Sequence, residues 1–191
     1  METLLGLAVG IGLSAACGFR VFVPFLGMSI ASLGGHLTLS PGFEWIGSWP
    51  ALVAFATATV LEIGAYYIPW LDNVMDSITT PAAVIAGTIV TASMVGDMSP
   101  FLKWSLALIA GGGTAGMVQG ATVMLRGAST ATTAGLGNHL VATGEMAGAV
   151  LITVVALFLP LFAALLVIGM SLYVARRIGM RMRGEAVQAG K

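Results

Sequence analysis

The chain has 191 residues, of which 58% are hydrophobic and only 8% charged. Eight Lys and Arg balance eight Asp and Glu to a formal net charge of zero, and no basic run lies outside the C-terminus, which excludes nucleic acid as a partner. Its charge-poor stretches outlast the ~20 residues that carry a helix across about 30 Å of hydrocarbon, which excludes an ordinary water-soluble core.

In chain order, the first apolar segment covers residues 3–33 and is interrupted only by Gly18, Arg20 and Pro24. If continuous at ~1.5 Å per residue it would be about 46 Å long, more than one span needs. It must tilt, protrude or break, and GFRVFVP, residues 18–24, holds the helix breakers. The start, METLLGLAVG, has no basic region and no A-x-A pattern follows, so no cleaved signal peptide is expected. Residues 34–50 mix turn formers with Trp45 and Trp49, a composition suited to the headgroup layer. A second span is expected over residues 51–68, and the polar turn LDNVMDSITTP leads to a third over 81–95. GDMSPFLK connects to a fourth over 101–125. RGASTATTAGLGNH, residues 126–139, carries small polar residues with one charge and reads as a loop or a loosely packed half-helix. The last apolar block, 147–175, contains Pro160 but no polar turn, and reads as one kinked span. Arg176, Arg177, Arg181, Arg183 and Lys191 follow at its end, so the positive-inside rule places the basic tail, residues 177–191, in the cytoplasm.

The expected fold is all-α: a single polytopic membrane domain over residues 1–191 with five transmembrane segments, or six if Pro160 marks a hairpin. Small residues recur at Gly6, Gly10, Ser14 and Gly18, and again at Gly112, Gly116 and Gly120. A shift of 102 residues lays Gly10 on Gly112 and Gly18 on Gly120, and a shift of 91 lays Pro69 on Pro160. The chain therefore reads as two related halves, about 3–97 and 101–176. Three spans separate their starts, an odd number, so the halves are expected to be inverted, with broken helices and a midplane site. The same glycines also serve close helix packing, within the chain or in a homo-oligomer.

Arg20 and Glu62 carry the clearest chemistry. A guanidinium inside a span costs about 2.5–3.5 kcal/mol on insertion scales unless paired or hydrated. Glu62 is the acidic residue well inside a predicted span, so the two are expected to face each other, as a structural ion pair or as part of a substrate or proton site. Arg126 with Ser129, Thr130, Thr132, Thr133 and Asn138 offers the donors that a phosphate or carboxylate needs, or is simply a polar connection. Asp72, Asn73 and Asp76 share a helix face, where they hold a cation or proton, or are solvated. Gln119 and Glu145 read as a packing hydrogen bond and a helix-end charge.

Gly10, Gly12 and Ala15 fall close to a dinucleotide fingerprint, but no strand precedes them. A lone buried-type Cys17 with His36 and His139 supports no disulfide framework and no metal site, and no catalytic constellation occurs. No enzyme, metal or cofactor is expected.

GLAVGIGLSAACGFRVFVPFL, SWPAL, LEIGAYYIPWLDN and GASTATTAGLGN together resemble a bacterial family of small integral membrane proteins catalogued only as a domain of unknown function. The resemblance implies a bacterial cytoplasmic membrane and transfers no functional residues. Three functions stay open: a transporter or channel for a small, anionic solute or an ion; a protein handling membrane lipids or polyprenyl phosphate; and a membrane assembly subunit.

Overall fold

The computed structural model describes residues 2–189 apart from Asp97, with the backbone alone at Glu2, Pro69, Trp70, Asp72, Asn73, Val174, Ala175 and residues 177–189. The described chain is helical: α1 (Glu2–Phe19), α2 (Phe22–Leu33), a 3-10 turn (Glu44–Gly47), α3 (Trp49–Tyr66), α4 (Pro69–Met94), α5 (Pro100–Thr133), α6 (Asn138–Phe158) and α7 (Pro160–Ala189). Four stretches are long and apolar enough to cross a membrane: Trp49–Tyr66, Val74–Met94, Pro100–Thr133 and Asn138–Phe158. The chain is a multi-pass membrane protein.

Local chemistry sets the helix starts. Ser48 accepts from the Ala51 N–H at 3.3 Å and Ser99 from the Leu102 N–H at 3.4 Å, each just ahead of a proline in the first turn. α4 and α7 also begin on proline, at Pro69 and Pro160, the pair that the repeat superimposes. Radially, the large aliphatics point outward, as Leu61, Ile109 and Leu151 do, and the interior is lined by Ala15, Ala16, Cys17, Ala115 and Ala156. This is membrane logic: lipid solvates the large side chains, and small ones let helix backbones close on one another.

Three expected boundaries move. α4 starts at Pro69, so LDNVMDSITTP is helix and Pro81 lies inside it. Thr79 and Thr80 donate back to the Met75 and Asp76 carbonyls, at 2.8 and 2.7 Å, which satisfies those hydroxyls within the helix. α5 runs on to Thr133, and the connection shrinks to residues 134–137, where Ala134 and Gly135 take left-handed φ of 52° and 88°. The last apolar block breaks just before Pro160, and its first helix starts earlier than expected: α6 already begins at Asn138 and ends at Phe158, with Leu159 at φ −133°.

The break near Arg20 is where the sequence places it, and it reverses the chain. α1 is antiparallel to α4: a Cβ on Gly6 would press on the Met94 carbonyl, one on Gly10 would meet the Thr91 Cα at 3.0 Å, and the Ser14 hydroxyl donates to the Gly87 carbonyl at 2.8 Å. α2 returns along α3. Phe22 lies at Glu62, Phe25 stacks on Phe55 with centroids 5.0 Å apart, and Ser32 touches Gly47 just ahead of α3. Ser40 then bonds the Ser93 and Ala92 carbonyls, at 2.8 and 3.0 Å. The start of α1 and the end of α2 therefore both lie at the C-terminal end of α4, and α1–α2 is a hairpin with its tip at Arg20 and Val21. Ser14 is level with Gly87, and Arg20 is six residues deeper (20 − 14), about 9 Å at ~1.5 Å per residue, level with the middle of α4.

The halves are not inverted. Gly10 and Gly111 both close on Thr91, and Gly18 closes on Ala115 and Val118, so α1 and α5 run parallel from the same end. The first segment is a hairpin that returns to its own side, which leaves two passes, α3 and α4, between the starts of the halves. An even number of passes preserves orientation.

Candidate functional site

Breaking a helix leaves free N–H groups and partial positive charge at the new N-terminus, and free carbonyls with partial negative charge at the old C-terminus. At the hairpin tip the new N-terminus meets a carboxylate. Glu62 of α3 caps α2, its Oε1 accepting from the Val21 N–H at 2.9 Å and its Oε2 from the Phe22 N–H at 3.2 Å. Arg20 directly follows the last residue of α1. Arg20 and Glu62 do not form the direct pair expected of them: they meet at one break but serve different groups, because the carboxylate is taken by backbone N–H groups.

Arg20 turns to α6. Its Nη2 donates to the Ala142 carbonyl at 3.0 Å and lies 3.6 Å from Glu145 Oε2. Glu145 also receives Arg126 of α5 in a two-armed contact, Nε to Oε1 at 2.9 Å and Nη2 to Oε2. Arg126 Nη1 lies 3.7 Å from Asp76 Oδ1 of α4. Both guanidiniums rest on the Tyr66 ring, with carbons 3.8 and 4.0 Å from its centroid. The Tyr66 hydroxyl and Gln119 Nε2 both reach the Thr79 hydroxyl, at 2.9 and 3.1 Å. Arg20 is 1% exposed and Arg126 3%, while Glu62, Tyr66 and Glu145 are each 4% exposed, so five helices converge on a largely buried polar centre.

Within that centre Arg20 is under-satisfied. Its Nε and Nη1 are buried and have no hydrogen-bond partner. A guanidinium has five N–H donors, and the protein meets the needs of one of its three nitrogens.

Of the residues singled out from the sequence, the structure brings Arg20, Glu62, Arg126 and Asp76 together. The side chains of Asp72 and Asn73 lie outside the described residues. Ser129, Thr130, Thr132 and Thr133 form the last turn of α5. Thr132 and Thr133 donate to the Ala128 and Ser129 carbonyls, Thr133 accepts from the Gly137 N–H at 2.9 Å, and Thr130 accepts from Asn138 Nδ2 at 3.0 Å. These groups cap a helix end while the Arg126 guanidinium turns toward Glu145 and Asp76. The sequence reading missed the weight of Glu145, because a span starting at residue 147 left it outside; counting helix from Asn138 would have put it eighth in a span. Tyr66 and Thr79 carried no signal, since a tyrosine at a span end reads as interfacial. Among the described residues no cluster of His, Cys, Asp and Glu could hold a metal ion.

A second feature lies on the outer face. An open groove of about 550 Å³ runs along α6 from Thr143 to Val154, with Tyr67 on its other wall and a Tyr67–Thr143 hydroxyl contact of 2.8 Å at one end.

No curated protein and no solved structure matches this chain. A family model does, over residues 7–179, which takes in the hairpin, the polar centre and every apolar helix. The chain belongs to the family described as a domain of unknown function, DUF4126.

Proposed function

We propose that the protein carries a small anionic solute across the bacterial cytoplasmic membrane, through a site at the tip of the α1–α2 hairpin. The observation that carries this reading is the pair of unmet donors on Arg20. An unmet buried donor costs about 1–3 kcal/mol, and a guanidinium at membrane depth about 2.5–3.5 kcal/mol. An arginine held there with bonding capacity to spare is matched to a partner that arrives and leaves, and a planar fork suits carboxylate and other oxyanions. Irregular backbone at membrane depth is tolerated where it is buried in protein or lines a polar cavity, and the hairpin tip meets that condition. In this reading α7 makes a fifth crossing, with its basic tail in the cytoplasm, and the polar centre is a carrier site and not an enzyme's.

Uptake of radiolabelled acetate and sulfate by proteoliposomes tests it. Arg20→Gln protein of matched thermal stability should lose about tenfold or more, the equivalent of one charge-assisted contact of about 1.5–3 kcal/mol. Unchanged uptake in that variant would sink the assignment.

Lipid handling is a second reading, favoured by the outer groove. From Thr143 to Val154 is eleven residues (154 − 143), about 16 Å at ~1.5 Å per residue, which suits an acyl chain with its head at Tyr67 and Thr143. Phospholipid retained in native mass spectrometry, with no anion uptake by proteoliposomes, would favour this reading over the first.

A further inference from the structure

We propose that Glu145 takes up a proton when an anion binds, making the polar centre a one-to-one proton–anion symport site. This rests on the anion reading above and adds the coupling ion to it. Glu145 is the acceptor that Arg20 and Arg126 share: its Oε2 lies 3.6 Å from Arg20 Nη2 and also receives Arg126 Nη2. An incoming carboxylate or sulfate competes with Glu145 for those guanidiniums. It also adds negative charge to a centre that already holds three carboxylates, Glu62, Asp76 and Glu145, against two guanidiniums. With all five ionised the formal sum is 2 − 3 = −1, and a bound monoanion would take it to −2 in a largely buried site. A proton placed on Glu145 restores the sum for a monoanion and releases both arginines from Glu145 in one event.

The other two acids fit this role less well. Glu62 is held by two backbone N–H groups at the start of α2, so both of its oxygens are engaged away from the guanidiniums. Asp76 is 17% exposed and stands 3.7 Å from Arg126. Glu145 is 4% exposed and is the one that joins the hairpin tip to α5 and α6. The charged and titratable groups around it are Arg20 behind α1, Glu62 and Tyr66 on α3, Asp76 on α4 and Arg126 on α5. α2 has no ionisable side chain, and the first on α7 is Tyr173, which is 61% exposed.

The balance is simple. A proton and an anion enter from one side, the proton adds to a Glu145 oxygen, and the anion takes the freed guanidinium donors. Both leave on the other side, and the Glu145–Arg126 contact re-forms. No bond other than O–H is made or broken.

Calorimetric titration of the purified protein with acetate and with sulfate, in two buffers of different ionisation enthalpy, reads the number of protons taken up per anion bound. One proton per anion is expected, with affinity falling up to about tenfold per pH unit as the solution is made alkaline. Glu145→Gln should still bind both probes, with no proton uptake and no pH slope. Binding by the natural protein without proton uptake overturns the coupling and leaves the anion reading standing. Proton uptake retained by Glu145→Gln overturns the assignment to this residue. Failure of the natural protein to bind either probe overturns the anion reading, and this inference with it. The proton count on the natural protein decides the coupling even if the variant does not fold.

Discussion

At the Arg20–Val21 break sit two charges with separable roles: Glu62 answers the free N–H groups of α2, and Arg20 turns to Ala142 and Glu145. Glu62 supplies acceptors to two N–H groups that no other described group meets, so Glu62→Ala should destabilise the protein by about 1–3 kcal/mol per stranded N–H. Glu62→Gln, which keeps one oxygen acceptor, should lose roughly half as much. The doubly swapped Arg20→Glu, Glu62→Arg protein should be no better than its parents, because an arginine at position 62 has no acceptor to offer the Val21 and Phe22 N–H groups. Thermal melting in detergent reads these variants against the natural protein; recovery of stability in the double swap would mean that the side chains pair with each other and that the cap is incidental. Both residues were legible as anomalies, since a charge in an apolar run stands out by its cost alone. The identity of their partners was not, because Ala142 and Glu145 lie more than 120 residues away from Arg20 in the chain.

Among the elements, the small-residue ladder of α1 makes close contacts inside the chain. Gly6 and Gly10 face Met94 and Thr91 of α4, Gly12 faces Ala156 of α6, and Gly18 faces Ala115 and Val118 of α5. Across the α4–α5 contact a Cβ on Gly87 would lie 2.7 Å from the Gly111 carbonyl oxygen, beside the π-helical stretch Ala107–Gly112 that locally widens α5. Gly120, about two and a half turns beyond Gly111, has open space around its would-be Cβ. Gly87→Leu should therefore lower the yield of monodisperse protein and cost stability on the order of 1–3 kcal/mol or more, while Gly120→Leu should be near neutral. Fluorescence-detected size exclusion with melting distinguishes them, and equal damage at both positions would show that the close approach at Gly87 does not exist.

For the whole molecule, the re-entrant hairpin decides which ends lie together. The start of α1 packs at Met94, and Lys103 donates from the start of α5 to the Ser40 hydroxyl at 2.8 Å, so positions 2 and 103 share one side. Leu136, in the turn between α5 and α6, is 80% exposed at the opposite end. In a Cys17→Ala background, single cysteines at positions 2 and 103 should react with an impermeant thiol reagent from the same face of the membrane, and one at 136 from the other. Labelling of 2 and 103 from opposite faces would restore the inverted arrangement and remove the hairpin.

What the sequence determined by itself was local. Run length and composition made the protein helical and membrane-embedded, GFRVFVP placed the break, and the insertion cost of charge marked Arg20 and Glu62. The tertiary structure alone decided whether the chain continued or turned back at that break. A two-residue interruption permits either direction, and the choice depends on which distant groups receive the exposed ends: Glu62 at the start of α2, and the Ala92 and Ser93 carbonyls at the loop beyond it. That one angle changed an odd count of passes into an even one, and it carried Arg20 to Glu145 and Tyr66. The outcome is a property of packed surfaces, which no window of sequence contains.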